Sequence, residues 1–128
     1  MLRSLLRRLG LLRGAPAETQ RPPFKAGDLV SVVMDEHGYG VAKVLAVDEV
    51  GVHVRLYVER LRERPSAANL PSRSLRPPKD GHPLSAGHLP LTFASFARWE
   101  PSFIVHEAVG DNELEGFRIW DENRGGYF

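Results

Sequence analysis

The sequence AGDLVSVVM at residues 26–34 is followed by DEHGYG at 35–40, by VAKVLAV at 41–47 and by VHVRLYV at 52–58. These are three runs rich in β-branched residues, separated by turns that carry glycine, a pattern typical of a tight antiparallel meander. In the third run apolar residues alternate with polar or aromatic ones, which predicts one apolar face and one mixed face. The second run is largely apolar on both sides, so we expect it to be the central strand.

The chain has 128 residues, which is the length of one domain, and its hydrophobic fraction of 42% and charged fraction of 26% are ordinary for a globular protein. It contains no cysteine, so disulfides, thiolate metal sites and cysteine nucleophiles are excluded. No apolar run approaches the roughly 18 residues of a membrane-spanning helix. We therefore expect a cytoplasmic protein.

The net charge of +1 conceals an uneven distribution along the chain. Residues 1–25 carry six basic side chains and one acid, whereas residues 26–128 carry 11 basic and 15 acidic side chains. The body is therefore mildly acidic behind a basic start. This balance argues against a protein that reads a phosphate backbone, because such a protein needs clustered positive charge.

The basic start, MLRSLLRRLGLLRG at residues 1–14, has leucines at helical spacing with most arginines off the leucine side. It predicts an amphipathic leader helix, and residues 15–25 form a linker that contains proline. Three interpretations stay open: a tail that is disordered or folds back on its own domain, a helix that docks on a protein groove or an anionic membrane face, and a targeting segment. For docking, the contact residues are Leu2, Leu5, Leu6, Leu9, Arg7 and Arg8.

The pattern Gly27-Asp28-x-Val30-x-Val32, a glycine-rich turn, and then Gly40-Val41-Ala42-x-Val44 resembles the opening of SH3-like small barrels such as the Tudor and KOW groups. The resemblance implies a fold and little about function. Tudor domains bind methylated side chains in a cage of three or four aromatic rings. The meander offers only Tyr39 and Tyr57, which favours ordinary surface and core aromatics. The same stretch is also similar to the start of some bacterial toxin-immunity proteins.

The rest of the chain predicts a Pro-rich loop at residues 65–87, with GHLPL at 87–91 as a turn into one short helix that Thr92 caps and Pro101 follows. Residues 103–109 read as a fourth strand, and Asp111 begins a second helix that runs to about residue 123. This half is similar to small bacterial proteins with no established activity. The prediction is a single α+β domain at 26–128, with an SH3-like bent antiparallel sheet or partial barrel and two packed C-terminal helices.

No catalytic or metal-binding pattern is present in the sequence. The five histidines lack the spacing of a helical metal site, no Gly-x-Ser-x-Gly or phosphate loop occurs, and the paired acids lie at turns. Acid–base chemistry needs burial to shift a pKa, and neighbouring acids on a turn are normally solvated. We therefore predict a protein that is not an enzyme and holds no metal or cofactor.

The sequence thus favours a non-catalytic interaction module that docks on another protein through its leader or its Pro-rich loop. A membrane surface is left open for residues 1–13, and the oligomeric state is not predicted. The candidate contact residues in the body are Tyr39, Tyr57, His88, Phe93 and Trp99. One alternative is a toxin-immunity inhibitor whose acidic body masks a basic active site. The other, disfavoured by charge, is a KOW-like nucleic-acid binder that uses Tyr57 with Arg55, Arg60, Arg62 and Arg64.

Overall fold

The structure, a computed structural model, describes residues 21–34, 38–69, 75–76 and 86–128. The leader at 1–14 with its contact residues, the linker up to residue 20 and most of the Pro-rich loop lie outside these ranges. The part of the chain that the structure describes contains no helix of the length and apolarity needed to cross a membrane.

The architecture is α+β, with a five-stranded antiparallel sheet and two short helices, which confirms the predicted class. The sheet order is β4-β3-β2-β1-β5, so the strand expected to be central is central, and the sheet is open rather than closed. The elements, in chain order, are β1 (Asp28–Val33), β2 (Tyr39–Val47), β3 (Gly51–Leu56), β4 (Ala86–Thr92), α1 (Phe93–Arg98), β5 (Ser102–His106), the 3₁₀ helix η1 (Asp111–Leu114) and α2 (Glu115–Glu122).

One face of the sheet carries the main apolar core. Alternate residues of the strands point to this face, and α1 covers it with the fully buried ring of Phe96. Phe24, which the sequence analysis placed in the linker, packs edge-on against Phe96 with ring centroids 6.0 Å apart. The core residues of the strands are Val30, Val32, Ala42, Val44, Val52, Val54, Leu56 and Leu91.

The opposite face is buried as well, but it is partly polar. Ser31, Lys43 and His53 are at most 1% exposed, and they alternate along their strands with the valines of the main core. A smaller apolar cluster of Leu29, Val41, Tyr57 and Ile104 completes this face. Buried polar side chains must find hydrogen-bond partners, so this face determines where the C-terminal segment lies.

Helix α1 forms where the sequence predicted it. The hydroxyl oxygen of Thr92 accepts a hydrogen bond from the N–H of Ser95 at 3.1 Å, which satisfies one of the free donors at the helix start. The helix ends at Trp99, and Glu100 adopts a φ of 51° before Pro101.

One expectation about the elements was wrong, and two details of the strands and helices were not predicted. Residues 87–91 form most of β4 rather than a turn, because Pro90 is tolerated in an edge strand and Leu89 and Leu91 supply apolar side chains. A bulge between Val44 and Ala46 shifts the register, so Val47 packs on the main core instead of sharing the side of Lys43. The last helical segment begins as η1 after Gly110 and becomes α-helical only at Glu115.

Gly51 begins β3 and pairs with Thr92 at the end of β4, where the two backbones lie close together. A Cβ atom at this position would overlap the carbonyl oxygen of Leu91, which is held in the ladder. We expect Gly51→Ala to lower the free energy of unfolding by about 2 kcal/mol because the strands must separate locally. Urea unfolding measures this.

The matched control is Gly87→Ala in the same strand pair, where an added Cβ meets no atom within 4 Å. That variant should keep wild-type stability to within about 0.5 kcal/mol. If the two variants lose the same free energy of unfolding, the close approach of the strands at Gly51 is not the cause of the loss.

Candidate functional site

The polar face of the sheet is organised by Asp48, in the turn between β2 and β3. One carboxylate oxygen accepts hydrogen bonds from the backbone N–H groups of Val50 and Gly51, each at 2.8 Å. The other oxygen accepts from Nε2 of His53 at 2.7 Å and from the hydroxyl of Tyr127. The side chain thus joins the turn, the central part of β3 and the C-terminal segment.

These four donors fix the charge of Asp48. Burial by itself would raise the pKa of this carboxyl, but the hydrogen bonds from His53, Tyr127, Gly51 and Val50 together hold the pKa far below its usual range. An ionised carboxylate can only accept hydrogen bonds, so Nε2 of His53 carries the proton of this contact. Burial, followed by the contact with Asp48, raises the pKa of Tyr127 to about 12, which keeps its phenol protonated as a donor.

Aromatic rings enclose His53. Its ring lies parallel to that of His88, with centroids 5.1 Å apart, and Nδ1 of His53 is 2.9 Å from Nε2 of His88. Phe117 and Trp120 of α2 meet His53 edge-on at 4.8 and 4.5 Å, and Tyr127 follows at 5.5 Å. We call Asp48, His53, His88, Phe117, Trp120 and Tyr127 the histidine cluster.

His88 of β4 is the member of the cluster that lines the open space beside α2, and its ring is only partly buried. Burial, followed by the proximity of His53, lowers the pKa of His88 to about 4, so the ring is neutral at pH 7. Helix α2 approaches β4 closely because Gly116 faces His88, and a Cβ at this position would lie 2.7 Å from Cβ of His88. The glycine therefore permits the contact between helix and strand that shapes the site.

A second buried polar group, Lys43 of β2, anchors η1. Its ammonium donates to the carbonyl of Ala108 at 3.0 Å and to Oε1 of Glu113 at 2.9 Å, and it lies 3.9 Å from Glu107. Oε1 of Glu113 also accepts the N–H of Gly110 at 2.7 Å. Burial alone would raise the pKa of Glu113, but these partners lower it, so the carboxylate stays charged opposite Lys43.

Between β3, β4 and the helical segment lies an open cleft of about 640 Å³, which we call the His88 cleft. His88 and Arg55 line it on the sheet side, and Asn112, Glu113, Glu115 and Ile119 line it on the helical side. Nε of Arg55 is 4.0 Å from Glu113. The cleft therefore combines fixed charges, a neutral imidazole and one exposed apolar side chain, which suits the binding of a polar or charged group.

The structure separates the contact residues predicted in the body. Tyr57 and Phe93 are 7% and 8% exposed and lie in the core clusters, where they offer a partner little surface. Tyr39 is half-buried beneath the guanidinium of Arg64, 5.0 Å from the ring centroid. Trp99 lines a shallow apolar groove with Leu89, Leu91 and Phe128, and only His88 lies in the cleft. The binding role of all five stays a prediction.

Three of the arginines considered for nucleic-acid binding are engaged within the protein. Arg55 faces Glu113, and Nη1 of Arg60 donates to the carbonyls of Tyr57 and Glu59 at 2.7 Å each. Arg64 donates to the hydroxyl of Ser31 at 2.7 Å. These contacts hold the three guanidinium groups against the body of the protein.

The histidine cluster was not predicted from the sequence, because its members are far apart in the chain. The available signals were a histidine on the mixed face of β3, an aspartate in the preceding turn and aromatic residues at Phe117, Trp120 and Tyr127. Within the ranges that the structure describes, no group of three or more histidine and acidic side chains is arranged to hold a metal ion. No model of a known protein family, no curated protein and no solved structure matches the chain.

The ion pair between Lys43 and Glu113 generates a prediction about stability. Glu113→Gln leaves the ammonium of Lys43, whose side chain is 2% exposed, without its nearest countercharge. We expect a loss of about 3 kcal/mol in the free energy of unfolding, since an uncompensated buried charge is costly. Thermal and urea unfolding measure this.

The double variant Lys43→Met with Glu113→Leu is the control, because it removes both charges and keeps comparable volume. It should recover most of the loss, as replacement of a buried pair by apolar residues is often neutral. If the double variant is as unstable as Glu113→Gln, the uncompensated charge of Lys43 is not the cause of the lost stability.

The shifted pKa of His88 makes stability depend on pH. The folded value of about 4 lies below the ordinary value of 6.5, so the unfolded chain binds more protons between these values. The stabilisation is complete above pH 6.5 and is lost as the pH falls toward 4. For this partly exposed ring we expect a loss on the order of 1 kcal/mol, which urea unfolding across the range measures.

His88→Gln keeps a polar side chain and removes the titration, so its stability should fall less over the same interval. Asp48, with its lowered pKa, contributes its own loss only at still lower pH. Identical pH profiles for the variant and the wild type would show that another group causes the decline.

Proposed function

We propose that the protein is a non-catalytic protein-interaction module whose partner binds at the His88 cleft. The observation that carries this proposal is the cleft itself, an open volume of about 640 Å³. Its histidine, His88, is held by a hydrogen bond to His53, which is held in turn by Asp48. A preorganised site of this kind supports binding because little side-chain ordering remains to be done. The described lining residues include no serine, threonine or cysteine that could act as a nucleophile.

We also propose that the fold is an SH3-like variant. The strand order supports this, because β1 to β4 form a consecutive meander. Strand β5 then pairs with the free edge of β1, on the side away from β2. A short helix between β4 and β5 covers the core in this arrangement. Small barrels of this type bind varied partners, so the function is argued from the site and not from the fold.

The chemistry of the proposed partner follows from charge. Residues 100–128, which build the helical side of the cleft, contain seven acidic and two basic side chains. A surface of this sign attracts a basic partner and repels nucleic acid. Ile119, 56% exposed in the cleft wall, adds an apolar contact. A basic segment of another protein therefore fits the site best.

A second candidate is a toxin-immunity inhibitor, which is one form of the same activity. It is favoured by the acidic C-terminal surface, which would mask a basic active site of a toxin by complementary charge. The two candidates differ in the identity of the partner and in the consequence of binding. The leader at residues 1–14 and the Pro-rich loop at 65–87 stay proposed as additional contacts.

Site-specific photo-crosslinking in the cells that produce the protein tests the proposal. A photoreactive phenylalanine analogue at position 119 should yield a crosslinked protein, since this residue lies in the cleft wall. The same analogue at position 103 is the control, because Phe103 is 55% exposed and lies in β5 at the opposite edge of the sheet. Mass spectrometry then identifies the partner.

A protein captured at position 119 and not at 103, and lost with Glu115→Lys but retained with Glu63→Lys, would support the proposal. Glu63 is an exposed acid outside the cleft. If that protein is a toxin whose growth inhibition this chain relieves, the inhibitor candidate is supported. Crosslinks of equal yield at the two positions, or crosslinks to RNA alone, would overturn the docking site.

A further inference from the structure

The hydrogen-bond polarity of the histidine cluster determines what His88 presents to the cleft. The following inference rests on the proposed function, because it names the group that the cleft recognises. Asp48 is surrounded by four donors and therefore acts only as an acceptor.

Nε2 of His53 must donate to this carboxylate at 2.7 Å. A neutral imidazole carries one proton, so when both rings are neutral Nδ1 of His53 is an acceptor. It lies 2.9 Å from Nε2 of His88, which must then be the donor. The only ring nitrogen of His88 left is Nδ1, and it carries a lone pair.

The bare Nδ1 of His88 belongs to a cleft that other hydrogen-bond acceptors also line. Glu115 and the side-chain amide of Asn112 line the cleft together with His88. Glu113 is already paired with Lys43, and it offsets the charge of Arg55 at 4.0 Å. Among the lining residues that the structure describes, the acceptors available to a ligand include the lone pair of His88, the carboxylate of Glu115 and the amide oxygen of Asn112.

We infer that the His88 cleft binds the guanidinium group of an arginine side chain presented by a basic segment of the partner. The guanidinium donates to Nδ1 of His88 and pairs with Glu115, while the aliphatic stem of the arginine packs on Ile119. Arginine fits better than lysine because its planar group holds five donors in a fixed fork that reaches two acceptors at once.

The first test reads the proton positions directly. In the full chain with ¹⁵N-labelled histidine, the imidazole signals at about pH 7 distinguish protonated from bare ring nitrogens, and the spectrum of His88→Gln assigns His88. We expect a proton on Nε2 and none on Nδ1 of His88. A protonated Nδ1 would overturn the inference, because the cleft would then present a donor.

The second test uses defined ligands. The peptide acetyl-Gly-Arg-Gly-amide is titrated into the labelled protein, with the citrulline and lysine peptides as matched controls. Citrulline has nearly the shape of arginine without its charge. The arginine peptide should shift the His88 signal saturably and bind about tenfold more tightly than the citrulline peptide, since a hydrogen bond to a charged group is worth more than a neutral one.

Variants locate the effect. Glu115→Gln should weaken arginine binding about tenfold, whereas Glu63→Gln should leave it unchanged, and neither exposed substitution removes a core contact. Equal affinities for the arginine and citrulline peptides, or no saturable shift, would overturn the inference. A partner crosslinked at position 119 in that case would leave the interaction module standing, so the two failures are distinguishable.

Discussion

The structure depends on the need to satisfy two polar side chains buried on one face of the sheet. Lys43 and His53 occupy central strands and are at most 1% exposed, so each requires hydrogen-bond partners within the protein. The partners of Lys43 are Ala108 and Glu113, and those of His53 are Asp48 in the β2–β3 turn and His88 of β4. Tyr127, far along the chain, donates in turn to Asp48. The C-terminal segment is thereby fixed to the sheet at two separate points.

The two points have different consequences for the surface. At Lys43 the buried ammonium pairs with the carboxylate of Glu113, and the two charges neutralise one another. At His53 the hydrogen bonds run to Asp48 on one side and through His88 to the cleft on the other. The imidazole of His88 is therefore held at the cleft wall by hydrogen bonds, which is the arrangement that the proposed recognition role requires.

The parts of the fold that the sequence predicted are those that local pattern determines. The valine alternation in β1 to β3 and the cap at Thr92 depend on neighbours within a few residues, and both are present in the structure. Strand β4 was missed because Pro90 argues against a strand unless its position at an edge is known. The candidate site was missed because Lys43 and Glu113 are 70 positions apart and Asp48 and Tyr127 are 79 apart. Spacing rules do not reach such distances.

The polar pairs also determine the orientation of the site in a way that apolar packing would not. Two apolar residues in place of Lys43 and Glu113 could fill the same space, but they would lack the directional hydrogen bonds that Lys43 makes. The ammonium of Lys43 requires a position of η1 in which the carbonyl of Ala108 and the carboxylate of Glu113 both lie within hydrogen-bond distance of it. Because η1 leads directly into α2, this requirement also positions Gly116 against His88 and Glu115 at the cleft. The direction of the proposed binding surface is thus a consequence of the buried charge beneath it.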